Sequence, residues 1–355
     1  MRTPLIILIV ILLATSAFIA GYYLSGKNSN APSLLSSDML SKFEIISGNI
    51  LSTMSDSNQP ISSAKATSLT LSSNIDSVLY YEKNTGRVIN LNYKTGSDSV
   101  VSSNNLPNFI STVWSPNNTE VISSFYEPLG NIYKYYNFKT KKSISLLRTI
   151  KSVAFSPDGK YIVYFAEGDD NSSLVISYPD GSNPKKLLST RMANVKLFWP
   201  SADSIYVQAS NESDNAESLF KINLNGNLTK IIDGGIDMQL KFSKSGKNIL
   251  FSYIYNDERL AGLILGHNSE QYIENGIRAN ECAWSIDDET IFCAMSTSTG
   301  SNIKSFNIIT KTLNQVVPMP FNGPTESILL SPAEDYLILH NKNDGKIYVI
   351  KHTAL

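Results

Sequence analysis

The sequence predicts an all-β protein that is built from one repeated unit and preceded by a single N-terminal transmembrane helix. Three observations lead to this prediction. A hairpin motif recurs seven times at intervals of 41 to 46 residues. A third strand-like run follows each motif, and a short fourth run follows six of them. Residues 4–24 are almost entirely apolar and carry no charge. Together they predict a seven-bladed β-propeller of four-stranded antiparallel blades behind one membrane anchor.

The N-terminal apolar stretch is long enough to cross a bilayer. Residues 4–24, at 1.5 Å rise per residue, span about 30 Å. Arg2 precedes the stretch, so we expect residues 1–25 to be an anchor with its N-terminus in the cytoplasm. The propeller would then lie outside the cytoplasm, in the periplasm or at the cell surface. Two alternatives stay open: a cleaved signal peptide, with weak cleavage sites ending at Ala17 or Ala20, and a buried core helix.

Residues 26–65 are a spacer rich in serine and asparagine. The seventh repeat ends at "KIYVIK" without a fourth strand-like run, which would leave an exposed sheet edge. We therefore expect a segment between residues 42 and 63 to supply the missing outer strand. The spacing of the other repeats places it near Met54 to Ser62, and "FEIIS" at residues 43–47 is a competing candidate.

Residues 66–355 contain the repeat, which is clearest in "FSPDGKYIVYFAE" from Phe155. A large apolar residue closes the first strand, and Pro-Asp-Gly forms a tight polar turn. The second run is apolar on both faces, as a strand packed between two neighbouring blades requires. We number the repeats as copies 1 to 7, and their motifs begin at Leu71, Trp114, Phe155, Phe198, Phe242, Trp284 and Leu330.

The third copy carries a resemblance to a known family. "FSPDGKYIVY" followed by "LVISYPDGSNPKKLLS" resembles the TolB-type, WD-repeat-like β-propeller repeat, and the resemblance covers about residues 66–351. The family includes periplasmic TolB, whose propeller binds other proteins, and propellers attached to peptidase domains. We expect a spacer here in place of the N-terminal globular domain of TolB, and no peptidase domain. The resemblance implies a binding role, in which the Ser, Pro, Asp and Gly of the motif are turn residues.

Composition and motifs limit the possible functions. The 30 basic and 31 acidic side chains give a net charge of −1, which argues against a nucleic-acid partner. No nucleophile elbow, phosphate loop or zinc-protease motif is present, so we expect no catalytic residue, metal or cofactor. His267, His340 and His352 are each expected to be satisfied or exposed. We therefore predict a monomeric module, not an enzyme, that binds or scaffolds another envelope protein. The alternatives are a small glycan- or ester-directed enzyme with channel-facing carboxylates, and a sensory or accessory subunit of an envelope complex.

The two cysteines lie on opposite sides of one predicted hairpin. With Asp287-Asp288 at the tip of the turn, the pairing register places Cys282 directly opposite Cys293. Opposed side chains in an antiparallel pair are close enough for a disulfide bond, and an exported domain is where such a bond persists. We hypothesise a cross-strand disulfide; two buried thiols are the alternative.

The loops between second and third strands carry an acidic excess in copies 2 to 5. In a propeller these loops share one face with the loops that join blades, where Arg148 and Lys151 occur. We predict an acidic sector that binds a basic partner or a cation; ordinary solvated loops are the alternative. The acidic residues are Glu127, Glu167, Asp169, Asp170, Glu212, Asp214, Glu217, Asp257 and Glu258, and Arg259 is the one basic residue among them.

Aromatic side chains cluster in "FYEPLGNIYKYYNF" at residues 125–138. Tyr126, Tyr133, Tyr135 and Tyr136 form either an adhesive patch or a sugar-binding platform. We expect at least half of them to belong to the core between blades, since alternate strand positions face adjacent blades.

Overall fold

The computed structural model describes residues 58–352, apart from Glu212 and residues 267–268, 274–275 and 298–299. These residues form 26 β-strands and one turn of 3-10 helix at Ala279–Glu281. The predicted all-β fold is confirmed: the strands pair antiparallel, and four of the six sheets have four strands.

Copies 1 to 3 each form a separate four-stranded sheet whose strands follow chain order. Copy 1 contains β1 (Ala66–Leu71), β2 (Ser77–Glu82), β3 (Val88–Asn92) and β4 (Asp98–Ser102). Copy 2 contains β5 (Phe109–Trp114), β6 (Glu120–Phe125), β7 (Ile132–Asn137) and β8 (Ser143–Ser145). Copy 3 contains β9 (Ile150–Phe155), β10 (Ile162–Ala166), β11 (Ser172–Ser177) and β12 (Lys185–Thr190).

Copies 4 and 5 share one strand and so form a single seven-stranded sheet. The shared strand is last in copy 4 and first in copy 5, and its 15 residues run through without a loop. Copy 4 contains β13 (Ala193–Ser201), β14 (Ser204–Ser210), β15 (Glu217–Asn223) and β16 (Leu228–Phe242). Copy 5 adds β17 (Ile249–Tyr255), β18 (Glu258–Leu265) and the short β19 (Ser269–Tyr272).

Copy 6 is again a four-stranded sheet, whereas copy 7 has three strands. Copy 6 contains β20 (Cys282–Trp284), β21 (Thr290–Thr297), β22 (Gly300–Asn307) and β23 (Thr312–Pro318). Copy 7 contains β24 (Thr325–Leu330), β25 (Tyr336–Asn341) and β26 (Ile347–Lys351).

The chain before β1 runs beside β26, at the edge where the other copies have a fourth strand. The Ile61 amide donates a hydrogen bond to the Ile347 carbonyl at 2.8 Å. The Lys346 ammonium donates to the Ser63 carbonyl at 2.9 Å. Residues 58–65 form no regular strand. Residues 42–57 lie outside the described part of the chain, so a complete closing strand stays a prediction.

The sheets follow one another around a ring through their first strands. In chain order, β1 contacts β5, β5 contacts β9 and β9 contacts β13. Beyond the shared β16, β20 contacts β24, and β24 contacts β1. Copies 1 and 7 also share a core cluster that includes Tyr80 and Ile338. The described residues therefore form a ring of sheets, which is the β-propeller arrangement.

A buried serine organises the hairpin turn in five of the copies. In copy 3, the Ser156 hydroxyl accepts a hydrogen bond from the Tyr161 amide at 3.0 Å and donates to Asp158 at 2.7 Å. Gly159 takes a positive φ of 72° at the tip. The predicted turn role of these residues is confirmed. The equivalent serines, each accepting from the amide five residues later, are Ser115, Ser243, Ser285 and Ser331.

The predicted register of the sixth hairpin is confirmed. Cys282 pairs with Cys293, and Trp284 pairs with Ile291. The two cysteines form a disulfide with their Cα atoms 4.1 Å apart. Both residues are buried, in the core cluster between copies 5 and 6.

Candidate functional site

One end of the ring carries two sets of loops, and we call it the loop face. It consists of the loops between second and third strands and the loops that join successive copies. Backbone hydrogen bonds hold the two sets together: the Tyr126 amide donates to the Asn108 carbonyl at 2.9 Å, and the Glu167 amide donates to the Thr149 carbonyl at 2.8 Å. Residues distant in the sequence therefore meet on this face, where we expected the acidic sector.

Two of the predicted acidic residues are paired with cations, one from the loop that joins copies 2 and 3 and one from the start of β9. Arg148 contacts the Glu127 carboxylate at 2.8 Å, and Lys151 contacts the Glu167 carboxylate at 3.1 Å. All four side chains are at least partly exposed, so each pair contributes at most about 1 kcal/mol. The pairs nevertheless remove much of the net charge of the sector in copies 2 and 3.

The remaining acidic candidates are exposed on their loops, and no ion pair involves them among the described residues. They are Asp169, Asp170, Asp214, Asp257 and Glu258. Asp257 and Asn256 form the two-residue turn between β17 and β18, with positive φ at both positions. Glu212 lies outside the described residues. Binding by these side chains stays a prediction.

Arg259, the predicted opposing cation, is occupied within the fold. Its guanidinium forms an ion pair with Asp237 and also donates to the Asp237 carbonyl at 3.3 Å. Only 9% of the Arg259 side chain is exposed. The arginine thus links β18 to the shared strand β16, and little of its charge is exposed.

A polar cluster bridges copies 4 and 5 below the loops. The Gln208 amide group donates to the Glu217 carboxylate at 2.7 Å and to the Met238 carbonyl at 2.9 Å. The Met238 amide also donates to Glu217. Burial lowers the pKa of Lys196, and the Glu217 charge partly offsets that effect. Glu217 therefore chiefly connects strands β14, β15 and β16 within the sheet that copies 4 and 5 share.

Glu281 is the one described carboxylate whose pKa is raised, and burial is the main cause. It accepts a hydrogen bond from the Thr325 hydroxyl at 3.4 Å and lies 3.7 Å from the Arg278 guanidinium. These contacts hold the joining segment of copy 6 against copy 7. Among the described residues, no three His, Cys, Asp or Glu side chains lie close enough to hold a metal ion.

The histidines are more buried than the sequence suggested. His340 is buried and its pKa is lowered by burial. Its Nε2 atom has no hydrogen-bond partner among the described residues, but the ring also hydrogen-bonds to the backbone of Ala66 and Gly345, so the expectation of a satisfied side chain holds in part for His340. His352 is buried with its ring edge against Phe292. His267 lies outside the described residues.

The loop face also exposes large apolar side chains around the Glu127–Arg148 ion pair. Leu129 is 93% exposed and Leu147 is 61% exposed, each within two residues of that ion pair. Tyr126 is also exposed. We call Tyr126, Leu129 and Leu147 the apolar patch. Sequence reasoning missed both leucines, although Leu129 lies between Pro128 and Gly130, where a turn leaves a side chain without core contacts.

Most of the tyrosines in residues 125–138 belong to the sheet. Tyr135 is buried, donates to the Glu120 carboxylate at 2.6 Å, and has its pKa raised to about 12 by burial. The Tyr133 hydroxyl donates to the Lys151 carbonyl at 2.7 Å. Tyr136 packs edge-on against Phe138. As expected, at least half of the cluster is structural, and Tyr126 is exposed.

No helix among the described residues is long and apolar enough to span a bilayer. The predicted anchor at residues 4–24 lies outside the part of the chain that the structure describes.

Solved structures with the same architecture are numerous but distant in sequence. An oligogalacturonate lyase in complex with manganese aligns with a TM-score of 0.60 at 9% identity, over 82% of this chain and 90% of the lyase. The Cps50 (Swd1) β-propeller domain of Myceliophteria thermophila aligns with a TM-score of 0.58 at 14% identity, over 84% and 99% of the two chains. TolB from Acinetobacter baumannii aligns with a TM-score of 0.47 at 12% identity, over 82% and 72%.

The alignment with the Cps50 (Swd1) propeller confirms the resemblance predicted from the repeat at the level of the fold. At these identities the likeness shows the β-propeller fold alone. No protein-family model and no curated protein matches the sequence.

Proposed function

We propose that this chain is an N-terminally anchored, seven-bladed β-propeller outside the cytoplasm, and that its loop face binds another envelope protein. Seven repeats in the sequence, β16 shared by two of them, and the contact of β24 with β1 support seven blades in one closed ring. The uncharged stretch of residues 4–24 supports the anchor. The resemblance to the TolB-type repeat supports protein binding, with the propeller as a monomer.

The exposed apolar patch on the loop face is the observation that carries the proposal. Protein interfaces combine a few large apolar or aromatic anchors with a polar rim. Tyr126, Leu129 and Leu147 provide such anchors, and the pairs Glu127–Arg148 and Glu167–Lys151 provide charged groups beside them. The acidic loops around this patch would favour a partner that has basic side chains at the edge of its interface.

The enzyme alternative has less support. Glycoside hydrolysis typically uses two carboxylates with separated pKa values on either side of the substrate. Among the described residues, Glu281 is the one carboxylate with a raised pKa, and its contacts with Thr325 and Arg278 give it a structural role. No observation singles out a second carboxylate as its partner.

Photo-cross-linking in intact cells tests the binding surface. A photoreactive amino acid at position 129 should give one dominant cross-linked protein. The matched control is position 75, because Ile75 is 86% exposed at the β1–β2 turn on the opposite face. Leu147→Asp should reduce the cross-link from position 129 at least about tenfold, since a lost interface anchor costs about 2 kcal/mol. Equal cross-linking from positions 75 and 129, or none from 129, would contradict the proposal.

Fractionation tests the anchor separately. Deleting residues 1–26 should move the protein from the membrane to the soluble fraction. If the shortened protein still sediments with washed membranes, residues 4–24 are not the anchor.

A further inference from the structure

The end of the ring opposite the loop face carries two sets of turns, and we call it the turn face. It consists of the turns between first and second strands and the turns between third and fourth strands. In copies 2 and 3 these turns and the strand residues beside them contain six lysines and three acidic residues, a net charge of +3. We call this part of the turn face the basic sector. Its lysines are Lys139, Lys141, Lys142, Lys160, Lys185 and Lys186, and its acidic residues are Glu120, Asp158 and Asp180.

The acidic residues of the basic sector already have partners within it. Asp158 lies 3.5 Å from the Lys160 ammonium, and Asp180 lies 3.7 Å from the Lys142 ammonium. Glu120 accepts the hydrogen bond from Tyr135 described above. Four exposed lysines are left without an ion pair among the described residues, and they supply the excess charge. They are Lys139, Lys141, Lys185 and Lys186.

Contacts between the two copies make the basic sector one continuous surface. The ion pair of Lys142 with Asp180 joins the turn between β7 and β8 to the turn between β11 and β12. Next to it, the Leu146 side chain lies against Gly181. The lysines of copy 2 and those of copy 3 therefore lie on neighbouring turns of the same face.

Two exposed tyrosines lie within the basic sector. Tyr161 precedes β10 and Tyr178 follows β11, and their rings stack with centroids 5.5 Å apart and an interplanar angle of 16°. Tyr161 is 40% exposed and Tyr178 is 44% exposed. The stack therefore presents an aromatic surface to the solvent between turns that carry lysines.

This combination is confined to one side of the turn face. The corresponding hairpin turn of copy 6 carries Asp287, Asp288 and Glu289 and no lysine. The field of the turn face is therefore uneven, and an anionic surface would be attracted to copies 2 and 3. Lysines that approach anionic headgroups and tyrosines that lie at the headgroup level are the side chains typical of a membrane-binding surface.

The length of the chain before the ring brings a membrane within reach. Residues 25–57 separate the apolar stretch from Asn58, the first described residue. As a flexible chain these 33 residues span about 30 Å, and fully extended they span roughly 110 Å. If residues 4–24 are the anchor, as proposed, the bilayer that holds them is also the nearest anionic surface.

We propose that the basic sector binds a membrane surface that contains anionic lipids. The four unpaired lysines would lie beside lipid phosphates, and Tyr161 and Tyr178 would enter the headgroup region. In this orientation the turn face meets the membrane and the loop face remains free for a protein. The choice of a membrane as the partner rests on the proposed anchor, which fractionation tests separately, and it does not depend on the loop-face partner.

Binding to a second membrane separates the basic sector from the anchor. Full-length protein is held in nanodiscs of neutral phosphatidylcholine and mixed with sedimentable vesicles. It should bind vesicles of equal parts phosphatidylcholine and phosphatidylglycerol, and it should not bind vesicles of phosphatidylcholine alone. Raising the salt concentration from about 0.1 M to 1 M shortens the Debye length from about 10 Å to 3 Å and should remove most of the binding.

Charge variants test which lysines are used. Lys185→Gln with Lys186→Gln should weaken binding to the phosphatidylglycerol vesicles at least about tenfold, since each lysine near an anionic surface contributes about fivefold. The matched control is Lys244→Gln with Lys247→Gln, which removes the same charge from an exposed turn of copy 5 on the same face. Asp288 accepts a hydrogen bond from Ser243 of that turn at 3.0 Å and offsets its charge, so the control should bind like the wild type.

A tyrosine variant distinguishes a membrane from a soluble acidic protein and leaves every lysine in place. Tyr161→Ser with Tyr178→Ser should weaken vesicle binding at least about threefold, because the rings would bury apolar surface at the interface. It should not change the weak binding of soluble polyglutamate. Unfolding midpoints check that each variant is folded.

Three results would overturn the proposal. The first is a wild type that does not bind phosphatidylglycerol vesicles. The second is a Lys185, Lys186 variant that binds them as tightly as the Lys244, Lys247 control does. The third is polyglutamate that binds as tightly as the vesicles do, together with a tyrosine variant that keeps full vesicle binding, which would identify an acidic protein segment as the partner.

Discussion

Lys241 places an ammonium group among the first strands of the ring, where its charge is poorly solvated. The residue is half-buried in β16, and burial lowers the pKa of Lys241 from 10.5 to about 8. No carboxylate among the described residues forms an ion pair with it. A lysine charge held this way destabilises the folded state at every pH where it stays protonated.

The sign and size of the effect follow from proton linkage. In the unfolded chain Lys241 has its ordinary pKa near 10.5, so between pH 8 and 10.5 the unfolded state binds more protons than the folded state. The free energy of unfolding therefore rises with pH in this window, and the whole penalty remains below pH 8. A fall from 10.5 to about 8 corresponds to an upper limit of about 3 kcal/mol. Lys241→Met keeps most of the aliphatic chain and removes the charge, so it should be stabilising.

Urea unfolding at pH 7 and pH 9.5 measures this effect. At pH 7, Lys241→Met should be more stable than the wild type by about 1–3 kcal/mol, and the difference should shrink by up to about 2 kcal/mol at pH 9.5. Lys244→Met, at an exposed position in the following turn, should match the wild type at both pH values. Comparing each variant with the wild type at the same pH cancels the contribution of tyrosine titration to the free energy of unfolding. A destabilised Lys241→Met, or a difference that does not change with pH, would refute the account of a buried charge.

Two further predictions concern the disulfide and the repeat serine. Without reduction, the peptide that holds Cys282 and Cys293 should be lighter by two hydrogens, and two intact thiols in normally exported protein would contradict the disulfide. Replacing both cysteines with serine should lower the free energy of unfolding by about 3 kcal/mol, because the bond closes a loop between residues 11 apart. Ser156→Ala should cost about 1–2 kcal/mol of unfolding free energy, because it removes the acceptor of a buried turn. Ser189→Ala, at an exposed site, is its control, and equal stability of the two variants would show that the turn does not depend on the serine.

Local features of the fold could be predicted from the sequence because hairpins determine their own register. Placing the turn at Asp287-Asp288 was enough to pair Cys282 with Cys293, since an antiparallel ladder advances by one residue on each strand. The same applies to the turn chemistry of Ser156 and Gly159, which depends on contacts within five residues.

Features that depend on packing between copies could not be predicted. Glu127 meets Arg148 across 21 residues because a loop of one sheet lies against the loop that leads to the next. The sequence indicated the strand β19 but did not determine where it ends. The partners of a surface charge are properties of the assembled ring, and they leave little trace in the linear order of residues.

The hydrogen bonds between residues 61–63 and β26 have a consequence for biosynthesis. The Ile347 amide donates to the Ser62 hydroxyl across 285 residues of chain. At roughly 5–20 residues per second, synthesis of that intervening chain takes on the order of tens of seconds. During this time residues 61–63 lack the strand that they bond to, and their backbone groups are open to other strands. If the chain is exported as proposed, ring closure must follow translocation of the last strand.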